Sequence, residues 1–317
     1  MNTDLPFLIL HHSPQNNLNE FIHRFGSRFH LIDPLLPSFS AADANLSRIL
    51  VCVGLEPVNP STLDRFPSIQ CVIGTTAGID HIDTGECHRR GIKVTNAGIA
   101  FSEDVADYAI GLLIDVLRRI SASQRYIRSA SWPVKGDYPL GSTLGGKRIG
   151  IIGLGSIGSM IATRLESFGC IISYSSRTDK SKTNYTYFKS VDNLVRNCDI
   201  LIACCSLTSE THHIINRETM MLLGKEGIVI NVGRGGLVNE KALVEALVKG
   251  ELGGAGLDVY EEEPIVSREL FELDNVVLSP HCAAFTPEGT EMILDVVGTN
   301  IEAFLANKPL LSEVKYA

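Results

Sequence analysis

The feature that most restricts the fold of this 317-residue chain is a glycine motif, Gly153-Leu154-Gly155-Ser156-Ile157-Gly158. The motif follows an apolar run at 148–152 and opens a segment with apolar residues at helical spacing that ends near Gly169. A strand, a glycine turn and a helix in this order predict the first unit of a dinucleotide-binding domain, with the pyrophosphate at the helix N-terminus. A glycine-rich turn without a ligand is the alternative.

Short apolar runs and helical patterns alternate along the whole chain, which predicts an α/β protein with parallel sheets. A long helix is expected at 104–120, and a C-terminal helical segment from residue 287 is expected to return to the first sheet. The predicted strands lie at 7–10, 49–53, 71–74 and 92–95 before the long helix, and at 148–152, 171–175, 200–204, 228–232, 255–259 and 276–278 after it.

Charge and cysteine usage exclude several classes of protein. The net charge of -8 argues against a general binder of nucleic acid or anionic membranes. No apolar run approaches membrane-spanning length. The eight cysteines form no CxxC pair, so we expect reduced thiols with neither a disulfide framework nor a metal site. Met1–Asp4 does not begin a leader-like pattern, so the cytoplasm is the expected compartment.

The residues after the second predicted strand indicate which dinucleotide binds. An Asp or Glu about 20 residues past the glycines would hold the ribose 2′-hydroxyl of NAD. This chain has Ser176, Arg177 and Thr178 at that place, and these residue types favour the 2′-phosphate of NADPH. Asp179 is an objection, since a carboxylate repels a phosphate, although it lies several residues past the apparent strand end.

Polar residues follow three later strands, at the edge where doubly wound folds bind ligands. The segments are 231–236 with Arg234, 256–264 with three consecutive glutamates, and 279–282 with His281. An Arg, an acid and a His together can reduce a keto acid: the Arg binds the substrate carboxylate or polarises the keto oxygen, the His gives up a proton, and the acid keeps that His charged. The residues alone do not choose among Glu261, Glu262 and Glu263.

The ordered motifs GLGSIG, NVGRGG, GLDVYEEEP and SPH resemble those of the D-isomer-specific 2-hydroxyacid dehydrogenase family, and the resemblance extends over nearly the whole chain. It implies catalytic roles for Arg234, Glu263 and His281, with substrate contacts from Arg234, His281, Ala77 and Gly78. The cofactor contacts that it implies, together with those read from the glycine motif, are Gly153, Leu154, Gly155, Ser156, Ile157, Ser176, Arg177, Thr178, Val232, Gly233, Arg234 and Asp258.

The expected fold is therefore α/β with two Rossmann-like domains. A doubly wound, NADP-binding domain at 99–285 would be inserted into a flavodoxin-like substrate-binding domain at 1–98 and 286–317. The resemblance also implies a homodimer. Cys282-Ala283-Ala284-Phe285 departs from the family pattern beside the expected pocket, which leaves the preferred substrate open.

The function expected from the sequence is NADPH-dependent reduction of a small 2-keto acid, hydroxypyruvate or glyoxylate, to the D-2-hydroxy acid. Reduction of 4-hydroxyphenylpyruvate is an alternative within the same class. Two alternatives come from other classes of protein. A dinucleotide-sensing binding protein on the same scaffold would not need the Arg, Glu and His. A formate dehydrogenase acts on a substrate that has no keto group to protonate.

Overall fold

The computed structural model describes residues 5–180 and 183–315. The chain divides into two compact units, with boundaries between Phe101 and Ser102 and between Phe285 and Thr286. The sequence placed the first boundary at 98/99 and the second at 285/286. The first four residues, on which the absence of a leader was argued, lie outside the described part. Among the described residues, no helix is both long and apolar enough to span a membrane.

The first unit contains one five-stranded parallel sheet in the order β2-β1-β3-β4-β5. Continuous burial of the inner strands explains their unbroken apolar sequences. This strand order is that of flavodoxin, which confirms the expected class. The strands are β1 (Phe7–His11), β2 (His30–Ile32), β3 (Ile49–Cys52), β4 (Cys71–Gly74) and β5 (Lys93–Thr95).

Helices cover this sheet and bury its apolar side chains. Phe21 and Phe25 of α1 (Asn19–Phe25) pack with Val297 and Ile301 of α11 (Pro287–Leu305) in one cluster, so the C-terminal helix packs on the first sheet as predicted. The Thr286 side chain caps α11 by accepting the Gly289 N–H at 2.8 Å. The helices are α1 (Asn19–Phe25), α2 (Pro60–Arg65), α3 (Thr84–Arg89) and, after the second unit, α11 (Pro287–Leu305).

The second unit contains a seven-stranded parallel sheet in the order β12-β11-β10-β9-β6-β7-β8. The order reverses at β6, as in a doubly wound fold, and the carboxyl ends of β6, β7, β9, β10, β11 and β12 lie along one edge. This confirms the predicted fold class. The strands are β6 (Arg148–Ile152), β7 (Ile171–Ser175), β8 (Thr186–Tyr187), β9 (Ile200–Ala203), β10 (Ile228–Asn231), β11 (Gly254–Leu257) and β12 (Val276–Leu278).

The long helix of this unit begins and ends two residues before the predicted bounds of 104–120. Its apolar stripe is buried from Val105 to Leu117, against β10, β11, β12 and the helix α7 (Ser156–Ser167). The helices are α4 (Ser102–Arg118), α5 (Ile120–Arg128), α6 (Trp132–Lys135), α7 (Ser156–Ser167), α8 (Val191–Val195), α9 (Arg217–Leu223) and α10 (Glu240–Val248).

Candidate active site

The glycine turn between β6 and α7 has the geometry that its sequence predicts. Gly153 has a φ of +99°, and its N–H donates to Ser175 O at 2.8 Å. A Cβ on Gly158 would lie 2.0 Å from Gly153 O, so only glycine allows the helix to pack this close to the strand. A Cβ on Gly155 would meet nothing within 4 Å, so open space adjoins the backbone there. The turn and the free N–H groups of α7 fit a dinucleotide pyrophosphate.

The side chains after β7 are arranged around the buried Tyr174. Its hydroxyl donates to Asp179 Oδ1 and accepts the Lys180 N–H, each at 2.8 Å. The exposed Arg177 has no hydrogen bond or ion pair with any residue in 5–180 or 183–315. The Ser176 hydroxyl donates to Thr178 O at 2.6 Å. The one carboxylate of this loop is thus bonded to a tyrosine, while the guanidinium is available to an anion.

The loop that carries Arg234 is fixed by Asn231, a fully buried residue at the end of β10. Its side chain donates to Arg234 O at 2.9 Å and accepts the Gly233 N–H at 3.1 Å. A Cβ on Gly235 would lie 1.8 Å from Tyr260 O, so this loop packs directly on the one that precedes Glu263. Both loops leave the same edge of the sheet, which brings the charge of Arg234 close enough to influence Glu263.

The structure joins two of the predicted catalytic residues by a hydrogen bond. Nδ1 of His281 lies 2.7 Å from Oε2 of Glu263, and the two side chains are 32% and 28% exposed. The other oxygen, Oε1, accepts the Tyr260 N–H at 3.0 Å. Nε2 of His281 makes no hydrogen bond within the described residues, so one ring nitrogen is held and the other is available.

Glu263 is held as the charged partner of this pair. Its burial raises the pKa of the carboxyl, but the hydrogen bonds from His281 and from the Tyr260 N–H outweigh this effect, and the pKa lies below its ordinary value. The positive charge of Arg234 acts in the same direction. Since an ionised carboxylate can only accept, Nδ1 of His281 carries the proton in this bond.

Asp258 holds the backbone on which His281 is placed. Its buried carboxylate accepts the Ser279 hydroxyl at 2.7 Å and the N–H groups of Cys282 and Ala283 at 2.9 and 3.0 Å. Its carbonyl oxygen accepts the His281 N–H at 2.8 Å. A carboxylate offers about four acceptor positions, so one remains for a ligand such as a carboxamide.

Two residues of the first unit were also predicted to contact substrate. Ala77 and Gly78 follow β4, where the Thr76 hydroxyl donates to Gly78 O at 2.7 Å and the Asn96 side chain donates to Ala77 O at 3.2 Å. The N–H groups of Ala77 and Gly78 make no hydrogen bond with the described part of the chain. They are therefore able to donate to an anion.

Sequence reasoning missed the residues that hold the site. Asn231, Gly235 and Tyr260 lie inside the motifs that were recognised, and each acts through a backbone contact that the sequence does not display. Tyr174 lies within the predicted strand at 171–175 and received no role, although a buried hydroxyl needs a partner and Asp179 lies within reach. Of the predicted cofactor residues, Leu154 and Val232 follow the carboxyl ends of β6 and β10, and Ser156 and Ile157 lie in the first turn of α7.

A family model described as D-isomer specific 2-hydroxyacid dehydrogenase, NAD binding domain, matches residues 110–283. The chain belongs to this family. It is 56% identical over 280 residues to a glyoxylate/hydroxypyruvate reductase of Arabidopsis thaliana, covering 88% of this chain and 87% of that protein. It is 46% identical to a hydroxyphenylpyruvate reductase of Plectranthus scutellarioides, covering 89% and 90%.

The fold agrees with that of solved members of the family. An NADPH-dependent glyoxylate/hydroxypyruvate reductase from Sinorhizobium meliloti, in complex with NADP and malonate, matches with a TM-score of 0.89 and 33% identity. The match covers 98% of this chain and 96% of that one. A glyoxylate reductase from Paecilomyes thermophila matches with a TM-score of 0.87 and 27% identity, over 98% of both chains. The dehydrogenase family predicted from the four motifs is thus confirmed.

Proposed function

We propose that this protein reduces hydroxypyruvate or glyoxylate to the corresponding D-2-hydroxy acid with NADPH. The observation that carries the proposal is the His281–Glu263 hydrogen bond of 2.7 Å beside the loop of Arg234. A sensor that only binds a dinucleotide has no use for a proton donor with one free nitrogen. Support for the small substrates comes from the plant reductase that is 56% identical.

In the proposed reaction, bound NADPH supplies a hydride to the keto carbon. Protonated His281 donates the proton on Nε2 to the keto oxygen, and Glu263 stabilises the charged ring through Nδ1. Arg234 binds the substrate carboxylate with two parallel hydrogen bonds. Ala77 and Gly78 offer backbone N–H groups to an anion, which supports a substrate-binding role for the first unit (5–101 and 286–315).

The preference for NADPH rests on the loop after β7. Arg177 is free to pair with a 2′-phosphate, and the hydroxyls of Ser176 and Thr178 lie beside it. The sequence objection was Asp179, whose carboxylate would repel that phosphate. In the structure Asp179 accepts a hydrogen bond from the buried Tyr174 hydroxyl, which holds it on that side chain. The Sinorhizobium meliloti reductase supports the same cofactor choice.

Reduction of 4-hydroxyphenylpyruvate is a second candidate, favoured by the 46% identity to the Plectranthus scutellarioides reductase. The test is the initial rate of NADPH and NADH oxidation with each of the three keto acids. We expect the highest kcat/KM with NADPH and a small keto acid. Tight NADPH binding without turnover of any of them would instead support a dinucleotide sensor.

The cofactor preference has its own test. Arg177→Asp should weaken the binding of NADPH far more than the binding of NADH, and an equal loss of affinity for both cofactors would contradict the role of Arg177.

A homodimer is also proposed, because several apolar side chains on and after α5 are exposed. Trp132, Val134 and Leu140 are 58%, 83% and 93% exposed, respectively. Large apolar side chains exposed within one short segment are a candidate protein–protein contact. Light scattering coupled to size-exclusion chromatography measures the mass directly, and a monomer at micromolar concentration would contradict the proposal.

A further inference from the structure

A second group of polar side chains in the second unit has no place in the proposed reaction. It consists of His212, His213 and Glu261, and one potential ligand atom of each lies within 4.8 Å of the other two. The two imidazole rings are stacked, with centroids 3.9 Å apart. His213 Nε2 is hydrogen-bonded to Glu261 Oε1. We call these three residues the His-His-Glu cluster.

The backbone around the cluster is fixed by hydrogen bonds. The His213 N–H donates to Gly236 O at 2.8 Å, next to the loop of Arg234. The Glu240 N–H, in the first turn of α10, donates to Glu261 Oε2 at 3.0 Å, and the Glu261 N–H donates to Glu240 Oε2 at 3.1 Å. One oxygen of Glu261 is therefore held by the helix, and the other, Oε1, faces the histidine.

We propose that the His-His-Glu cluster is a binding site for a divalent transition-metal ion of the zinc class. Imidazole nitrogens suit zinc, nickel and copper, and two histidines with one glutamate leave a fourth position for water. The His213 and Glu261 side chains are 30% and 27% exposed, so an ion can reach them from solvent.

The position of the cluster gives the ion an effect on the reductase site. His213 bonds to Gly236 in the segment that follows Arg234, and Glu261 lies two residues before Glu263. An ion bound to both would link the loop of the substrate arginine to the loop of the catalytic acid. The inference therefore has a second part, which rests on the proposed function: the bound ion restrains Glu263 and lowers the kcat of keto-acid reduction.

The contact between His213 and Asn239 limits the affinity of the cluster for a metal ion, and it suggests a test. Nδ1 of His213 lies 3.4 Å from the Asn239 side-chain nitrogen. When Nε2 binds a metal, the ring proton moves to Nδ1, where that nitrogen cannot accept it. Asn239 Oδ1 also caps α10 by accepting the Ala242 N–H at 2.9 Å. Asn239→Asp keeps the cap and adds an acceptor, so it should tighten metal binding by about 10–100-fold.

The binding test is a titration of the purified full-length protein with Co²⁺, followed by displacement with Zn²⁺. We expect one equivalent with d–d absorption and no thiolate charge-transfer band, which separates this site from the eight cysteines. His213→Gln and Glu261→Gln should each abolish that equivalent, whereas His23→Gln, at an exposed histidine of α1, should keep it. In a His213→Gln background, Asn239→Asp should give no gain.

Two results would overturn the metal site: no saturable binding by the wild-type protein, or binding that persists in both His213→Gln and Glu261→Gln. The second part is tested by kcat with and without Zn²⁺, in wild type and in Glu261→Gln. A Zn²⁺-dependent decrease only in wild type supports it, and an unchanged kcat in both overturns it. If the protein reduces no keto acid at all, the Co²⁺ titration still decides the site, so the two failures can be distinguished.

Discussion

Two histidine–glutamate pairs lie at the carboxyl edge of the same sheet, and their glutamates are two residues apart in one loop. His281 is bonded through Nδ1 to Glu263, while its Nε2 makes no hydrogen bond within the described residues. His213 is bonded through Nε2 to Glu261, and its Nδ1 lies 3.4 Å from the Asn239 side chain. Only the first ring has a free nitrogen, which proton transfer to a substrate requires.

The partners of the glutamates also differ. Glu263 receives the Tyr260 N–H within its own loop, and the charge of Arg234 acts on it. Glu261 receives the N–H of Glu240 at the start of α10 and is thereby tied to a helix. The residue types are the same in the two pairs, so their separate roles follow from which nitrogen is free and what holds the carboxylate.

Removing the first histidine should have the largest effect. His281→Gln takes away the proton donor, and we expect kcat to fall by a factor of about 100 or more while NADPH binding, measured by fluorescence titration, stays the same. His213→Gln is the matched control in metal-free buffer, and its kcat should change by less than about threefold, because that ring has no free nitrogen. If the two variants lost activity equally, the distinction between the pairs would fail.

Replacing each glutamate by glutamine should distinguish the two pairs in the same way, but with a smaller change in kcat. Glu263→Gln keeps the shape of the side chain but removes the charge that stabilises protonated His281, so we expect kcat to fall by about 10–100-fold. Glu261→Gln should retain nearly full kcat in metal-free buffer. A strong loss of kcat in Glu261→Gln together with a mild loss in Glu263→Gln would contradict the role of Glu263 as the catalytic acid.

Some strands and site residues could be predicted from the sequence, and others could not. The apolar runs gave β6, β7 and β12 their observed bounds, because buried parallel strands need continuous apolar residues. β2 (His30–Ile32) and β8 (Thr186–Tyr187) were missed, since each is a short edge strand with few buried side chains. At the site, the residues alone could not choose among three glutamates; the family resemblance indicated Glu263, the glutamate that the structure pairs with His281.

The prediction that the chain has no metal site likewise used only patterns within short segments. The cysteine pattern predicted no metal site, and the cluster proposed above uses no cysteine. His213 and Glu261 are 48 residues apart and belong to no spaced motif. Their contact depends on two loops that leave the same sheet edge, which a pattern within one segment does not reveal. The adjacent histidines His212 and His213 are a local signal that the sequence analysis did not use.

Stability at acid pH should depend on Glu263. Its pKa is below the ordinary value in the folded protein, so its contribution is present above the unfolded pKa of about 4.3 and is lost as pH falls through the folded value. Wild type should therefore lose more stability than Glu263→Gln between pH 6 and pH 3, by up to about 1 kcal/mol, because the pair is partly exposed. Urea unfolding at each pH measures this difference, with the exposed Glu262→Gln as control. An equal loss in wild type and Glu263→Gln would contradict the lowered pKa.

The smallest effect is expected at the second glutamate, and it concerns the helix rather than the chemistry. Glu261 accepts the Glu240 N–H at 3.0 Å, in the first turn of α10, where a carboxylate is stabilised by the helix N-terminus. Glu261→Gln keeps an oxygen for that N–H but loses the charge, so unfolding free energy at pH 7 should fall by about 0.3–1 kcal/mol. The same measurement on Glu262→Gln should give no change. A larger loss for Glu261→Gln, without any metal present, would mean that this pair supports the fold more than its exposure suggests, and the two pairs would then differ in stability as well as in chemistry.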